Sequence, residues 1–168
     1  SQKDEASLLR AKYPFIRTIR SRENSGFAGG NNLGSYIAKG RYLFFLNNDT
    51  FIKEDQLRCL IETLETRENA GGVCPLIRYA DEDELIQFAG FTPLSRFTLR
   101  NRSIGIGEYL SEKYLQPAEI PYMHGAAMLI KREVYQRAGR MPCMYFLYYE
   151  ELDWSLSIRN AGYRLFYD

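Results

Sequence analysis

A chain of 168 residues is long enough for about one domain with a real core. Its 22 basic and 21 acidic residues leave a formal net charge of +1, a balance that points to no nucleic-acid stripe and no polybasic membrane anchor. A single histidine excludes His-rich zinc sites, so any metal must rest on oxygen ligands, and no apolar run approaches the ~20 residues of a membrane span.

In chain order, Asp4–Lys12 places acids in its first turn and apolar residues at Ala6, Leu8, Leu9 and Ala11, which predicts a short amphipathic helix entered directly from Ser1-Gln2-Lys3 and ended by Tyr13-Pro14. Phe15–Arg22 alternates apolar residues with arginines and reads as a partly exposed strand. The run ENSGFAGGNNLG (Glu23–Gly34) reads as a Gly/Asn-rich loop feeding a helix over Asn31–Lys39. Tyr42–Leu46 is an apolar, aromatic strand without polar alternation, hence buried, and it stops at Asn47-Asn48-Asp49-Thr50. Asp55–Glu68 carries Leu57, Leu60, Ile61 and Leu64 on one stripe and is a helix; Gly71-Gly72 then turns into a strand over Val73–Tyr79. This alternation of helix and strand predicts parallel pairing with right-handed crossovers.

The middle of the chain differs. Leu85–Phe91 reads as one short strand of a hairpin, and Thr92–Leu115, basic and Gly-punctuated, as a mobile loop over a cleft. Tyr122–Lys131 is a buried strand, Arg132–Ala138 a helix closed by Gly139, Glu150–Asn160 a further helix and Tyr163–Tyr167 a last strand. Both ends run straight into structured segments, so the chain is expected to be a piece of a larger unit. Cys59, Cys74 and Cys143 are far apart and form no CxxC pair, as in a reduced, cytosolic-type protein.

Three stretches carry chemistry. An acid released at the C-terminal end of a buried strand lies where open α/β sheets bind ligands, and Asp49 could hold a divalent cation that in turn holds phosphate oxygens. A polar turn capping the next helix is the competing reading of the same residues. The Gly/Asn loop offers backbone amides to an anion and side-chain amides to a base or sugar, but its glycines do not spell GxGxxG; tight packing is the alternative. Glu150, Glu151 and Asp153 open a helix whose dipole alone would justify them, yet a carboxylate projecting into a cleft is also what a general base requires. His124-Gly125, ahead of an apolar strand, is either a packed pair or a substrate contact.

Taken in order, ENSGFAGGNNLG, LNNDT, HGAAMLIKREVYQRAG and FLYYEELDWSLSIRNAGYRLFYD resemble the family 2 inverting glycosyltransferases, most of all the bacterial branch with rhamnosyltransferase-like enzymes. The resemblance covers residues 15–80 and 120–168. It implies a GT-A fold, an α/β architecture with a Rossmann-like mixed sheet flanked by helices, in a single partial domain over residues 1–168 lacking its first, nucleobase-binding strand and its C-terminal end. It also implies a nucleotide-diphospho-sugar donor, a glycan or lipid-linked acceptor, a divalent cation (Mg²⁺ or Mn²⁺), and a cytoplasmic location or one peripheral to the inner face of the membrane.

Residue by residue, Asn47-Asn48-Asp49 stands where the family has its DXD-type motif, making Asp49 the metal and diphosphate residue. Asn24, Gly26, Gly29, Gly30 and Asn32 would frame the donor. The family's Glu-Asp pair falls on Glu150-Glu151, so Glu151 is the expected base, with Glu150 and Asp153 behind it, and His124-Gly125 would contact the acceptor or substrate. Tyr148, Tyr149 and Trp154 surround the base and could stack on sugars, with a core role as the competing reading of Trp154. A nicotinamide-dependent oxidoreductase would need GxGxxG after a first strand. A degenerate, non-catalytic domain that binds a nucleotide sugar or glycan is the remaining alternative, suggested by Glu-Glu in place of Glu-Asp.

Overall fold

A computed structural model describes residues 4–168; the expectation for Ser1-Gln2-Lys3 lies outside them. The first helix, α1 (Glu5–Lys12), forms as its caps dictate: the Asp4 carboxylate accepts from the Ser7 amide (3.2 Å) and hydroxyl (2.8 Å), while Arg10 and Lys12 close the last turn. None of its residues is buried. The segment 15–22 departs from expectation, because among the described residues no strand edge meets it and its alternation has nothing to pair with. Instead it folds back along α1, held by Arg10 to the Thr18 hydroxyl (2.9 Å) and by an Arg20–Asp4 ion pair (3.3 Å).

The second helix also differs. α2 runs Gly26–Ile37, so most of the expected loop is helical and Gly29, Gly30 and Asn32 lie inside the helix. Each interior glycine costs about 1 kcal/mol relative to Ala. Burial of Ala28 and Ser35, and a hydrogen bond between Ser35 and Tyr135, offset that cost.

Strand β1 (Tyr42–Leu46), helix α3 (Glu54–Thr66) and strand β2 (Ala70–Cys74) follow. β2 starts earlier than expected and takes in Gly71 and Gly72, for which the packing explains the residue type. A methyl group on Gly71 would stand 2.7 Å from Tyr163, and one on Gly72 2.7 Å from the Met123 sulfur. Pro75 ends the strand, and the chain leaves the sheet for a hairpin of β3 (Ile77–Tyr79) and β4 (Glu82–Phe88). The remaining elements are a 3₁₀ turn at Glu112–Tyr114, β5 (Ala118–Ile120), β6 (Ala127–Lys131), α4 (Arg132–Ala138), α5 (Glu150–Asn160) and β7 (Arg164–Tyr167).

The sheet order is β1-β6-β2-β7-β5. β6 pairs antiparallel with both β1 and β2, β5 antiparallel with β7, and only β2 and β7 run parallel. The expected parallel pairing is therefore corrected: β1 and β2 do run the same way, joined by α3, but the later strand β6 is inserted between them. Side chains alternate across this sheet as the pleat requires. Leu43, Phe45, Met128, Ile130 and Leu165 join Trp154 and Ile158 on the α4/α5 side, whereas Val73, Leu129 and Phe166 meet Leu60 and Leu64 of α3 on the other. Each such fully buried aliphatic contributes roughly 1.5–3 kcal/mol.

The expected mobile loop is a folded extension. The Gly107 amide donates to Ile86 O (2.9 Å), the Ile86 amide to Glu108 O (2.9 Å) and the Leu110 amide to Glu84 O (2.7 Å), so residues 107–110 continue the ladder along the free edge of β4. Tyr114 is buried in the core.

Candidate active site

The C-terminal ends of β1, β2 and β7 and the N-terminal end of β6 meet at one edge of the sheet: Leu46 faces Ala127, and Cys74 faces Tyr167. The carboxyl ends of strands are where open α/β sheets bind ligands. β1 stops there in a turn in which the Asn47 amide donates to Ala126 O (2.9 Å), and both the amide (3.3 Å) and the hydroxyl (2.6 Å) of Thr50 donate to Asn47 O. Asn48 and Asp49 occupy the exposed tip. The turn does not cap α3. That helix is entered at Lys53, whose amide donates to the Gln56 side chain (2.8 Å).

A cleft of about 620 Å³ opens at this turn. Asn47, Asp49 and Lys53 line it together with Arg78, Asp83 and Gln87 of the β3–β4 hairpin and His124. The His124 Nδ1 accepts the Ala126 amide at 3.2 Å, leaving the ring proton on Nε2. Burial between Phe88 and Phe91, with ring centroids 4.8 and 5.9 Å away, lowers the pKa of the imidazole and keeps it neutral at pH 7. Its backbone amide donates to the Cys74 sulfur (3.2 Å), and burial pushes that thiol up to about 12, so it stays protonated.

One residue further on, the same bend reaches the acids. A methyl group on Gly125 would stand 3.4 Å from the Phe27 ring and 4.0 Å from the Glu151 carboxyl carbon, so a larger residue would crowd the space between α2 and Glu151. Ser155 fixes the approach of α5: its hydroxyl accepts the Met123 amide (3.0 Å) and donates to Glu151 O (2.6 Å). Glu151 is half-buried, and burial first, then the charge of Glu150, raise its carboxyl pKa. Glu150 is 2% exposed, and its Oε2 has no hydrogen-bond partner among the described residues. Asp153 faces Tyr145, whose phenol pKa it raises by its charge. Tyr148 and Tyr149, which lead into this helix, both adopt left-handed backbone (φ 71° and 74°), a strained conformation of the kind that concentrates at functional sites.

The other predicted donor residues have different surroundings. The Asn24 side chain accepts the Gly26 amide (3.1 Å) and borders a second cavity of about 910 Å³, formed with Asp4, Glu5 and residues 19–23, away from the sheet edge. Gly26 is required by its φ of 70° and by Phe146 O, which would lie 2.2 Å from any added methyl; the Phe27 amide at the start of α2 donates to that carbonyl (3.3 Å). Gly29 lies against Ser25, while Gly30 faces open space. Asn32 clamps the chain after α4, donating to Met141 O (2.8 Å) and accepting from the Met141 amide (3.1 Å). Trp154 is wholly buried, with its indole N–H on Gly139 O (2.9 Å), and is a core residue.

Lys53, Arg78, Asp83, Gln87 and Ser155 were not singled out from the sequence. No local pattern marks Arg78, Asp83, Gln87 and Ser155, because the hairpin's approach and the α5 contact that place them are long-range. Lys53 enters α3 a few residues after Asp49 and reads there as an ordinary helix start. Among the described residues no group of three His, Cys, Asp or Glu side chains is arranged to hold a metal. The carboxylates of Asp49 and Asp83 line one cleft, which suits a hard cation that keeps waters and takes phosphate oxygens, rather than an all-protein cage.

Residues 2–139 match the family model described as glycosyl transferase family 2. The chain is 28% identical over 151 residues to the low-salt glycan biosynthesis hexosyltransferase Agl10 of Haloferax volcanii, covering 88% of this chain and 47% of that protein. It is 27% identical over 154 residues to the rhamnosyltransferase WbbL of Escherichia coli, covering 84% and 57%. The chain thus spans about half the length of these curated relatives. A crystal structure of GalNAc-T7 with UDP, GalNAc and Mn²⁺ superposes with a TM-score of 0.73 at 16% identity, covering 99% of this chain and 33% of that one. With a mixed sheet flanked by helices and a match over most of its length, the chain belongs to glycosyl transferase family 2 and has the GT-A fold.

Proposed function

We propose that residues 1–168 form one partial GT-A domain of an enzyme that moves a hexosyl-type sugar, with inversion, from a nucleotide-diphospho-sugar to a glycan or lipid-linked acceptor. The observation that carries this reading is the bend His124–Ala126, which joins the Asp49 cleft on one side to the raised-pKa carboxyl of Glu151 on the other. In the transfer, Glu151 takes the proton of the acceptor hydroxyl as its oxygen attacks the anomeric carbon from the face opposite the leaving group. The bond from that carbon to the phosphate oxygen breaks, and its electron pair leaves with the nucleoside diphosphate.

Asp49, with Asp83 across the cleft, is the proposed holder of Mg²⁺ or Mn²⁺, which when bound would supply positive charge to the leaving diphosphate. Lys53 and Arg78 add fixed positive charge to the same cleft. Neutral His124 can offer its Nε2 proton to a substrate oxygen without competing for the acceptor's proton. Exposed Tyr148 and Tyr149 suit stacking on an acceptor sugar. The reading places the enzyme in glycan assembly on the cytoplasmic side; among the described residues no helix is long and apolar enough to cross a membrane.

A second reading, a non-catalytic domain that binds nucleotide sugar or glycan, draws on one observation: the amide at the start of α2 is already engaged by Phe146 O. The test is a transfer assay on the protein with a panel of UDP-, dTDP- and GDP-sugars, beside calorimetric titration of UDP, dTDP and GDP with and without Mn²⁺. Metal-dependent transfer lost in both Asp49→Ala and Glu151→Gln is the expected result. Binding without transfer across the panel would favour the non-catalytic reading.

A further inference from the structure

Between Leu85 and Gly107 there is no Asp or Glu, in a chain where 21 of 168 residues are acidic. The only charged residues of that stretch are Arg96, Arg100 and Arg102. They sit on a hairpin that projects beyond β4: Phe91 pairs with Ser103, the Thr92 amide donates to Arg102 O (3.0 Å), and the Arg102 amide donates to the Thr92 hydroxyl (3.0 Å). Its tip is tied internally. The Ser95 amide donates to Arg100 O (2.9 Å) and the Leu99 amide to Ser95 O (2.9 Å), while the Ser95 hydroxyl accepts from the amides of Phe97 and Thr98, both at 3.3 Å.

This built turn presents two large apolar side chains to solvent. Phe97 is 97% exposed and Leu99 69%, the latter held outward on left-handed backbone with φ 52°. Among the described residues none of the three arginines forms an ion pair, and no residue of the tip borders either cavity. The tip is therefore neither core nor a lid on the donor cleft.

We propose that this tip docks on an anionic lipid surface, with Phe97 and Leu99 entering the headgroup–acyl boundary and Arg96, Arg100 and Arg102 reaching lipid phosphates around them. Two exposed apolar side chains on a turn whose only charged residues are exposed arginines fit that interface, because the apolar pair enters the low-dielectric layer while the arginine stems bury and their heads stay at the phosphates. Charge complementarity selects anionic over zwitterionic lipid. The hairpin fixes the geometry before contact, so little conformational freedom is lost on docking. The inference needs neither donor nor acceptor, so a silent transfer assay leaves it standing.

The experiment is co-sedimentation of the 168-residue chain with vesicles of equal parts phosphatidylglycerol and phosphatidylcholine, against pure phosphatidylcholine. The chain should pellet with the anionic vesicles only, and high salt should release it. Each arginine should be worth about fivefold, so replacing all three by Gln should weaken binding about a hundredfold. Phe97→Ser with Leu99→Ser should also abolish pelleting, whereas Phe15→Ser, at an 83% exposed aromatic on the N-terminal segment, should not. A Phe97→Trp variant should shift its emission to the blue on anionic vesicles, over a constant background from buried Trp154. Failure to pellet, or pelleting that survives the tip substitutions, would overturn the proposal. So would tighter binding to polyuridylate that depends on the arginines and ignores Phe97 and Leu99, which would make the tip a nucleic-acid surface.

Discussion

The turn after β1 and the first turn of α5 each carry acids, and their surroundings could hardly differ more. Asp49 sits on an exposed turn and lines a cleft with Lys53 and Arg78, where its carboxylate is open to a cation. Glu150 is buried with one oxygen unpartnered among the described residues, and Glu151 beside it is half-buried with its carboxyl pKa raised. The difference teaches that burial can divide one residue class between the two proposed roles: an open carboxylate to handle charge, and a partly desolvated one to handle a proton.

The sharpest way to break this division is Glu151→Gln. It should lower turnover about 100- to 10,000-fold while leaving donor binding in place, as initial-rate and titration measurements would register. The same substitution has a signature in stability. Because the folded carboxyl titrates above its ordinary value of 4.5, the folded state holds the proton more tightly than the unfolded one. Glu151 thus costs the fold stability as pH rises from that value through the folded pKa. Thermal unfolding of Glu151→Gln should accordingly show a higher Tm than wild type at neutral pH and a converging one in acid.

Asp49→Ala should do the reverse. Nucleotide binding in the presence of Mn²⁺ should weaken about ten- to a hundredfold by calorimetry, the scale of losing one charged contact. With Asp49 exposed, Tm should hold within the change expected of a surface substitution, about ±0.5 kcal/mol. If Asp49→Ala spared binding and Glu151→Gln removed it, the two roles would have to be exchanged.

Two smaller effects test the frame around the acids. Asn32→Ala removes both bonds to the Met141 backbone and strands its buried groups, at about 1–3 kcal/mol. A lower unfolding midpoint would register it. Gly30→Ala, in the interior of α2 and facing open space, should instead stabilise by about 0.5–1 kcal/mol. If the same change also weakened nucleotide binding, the glycine would be there for close approach of the ligand and not for the fold.

What could be read along the chain is what short-range chemistry writes there. The apolar run ending at Asn47 was legible as a strand with its polar turn at the end of the sheet, although β1 is an edge strand in which only Leu43 and Phe45 are buried. Of the stripe Leu57, Leu60, Ile61 and Leu64, Leu60 and Leu64 pack on the sheet while Leu57 is exposed. Glu150–Asp153 at a helix start was likewise legible, because an acidic first turn is a local signal. The glycines of α2 misled, since propensity argues for a loop and the packing of Ala28 and Ser35 overrides it. The alternation of Phe15–Arg22 misled for the opposite reason: a strand pattern forms no strand without an edge to pair with.

The sequence by itself determined the strands β1, β6 and β7 as element types but not β5, the residue classes at the ends of β1 and α5, and membership of a family, because these rest on nearest neighbours and on motif order. Only the tertiary structure decided that β6 runs antiparallel between β1 and β2, and that the β3–β4 hairpin brings Arg78, Asp83 and Gln87 to the Asp49 cleft. It alone assigned Asn32 to Met141, and made Glu150 and Glu151 unequal. Strand partners and burial depend on contacts between residues tens of positions apart. Those contacts set the desolvation that gives each carboxylate its own pKa.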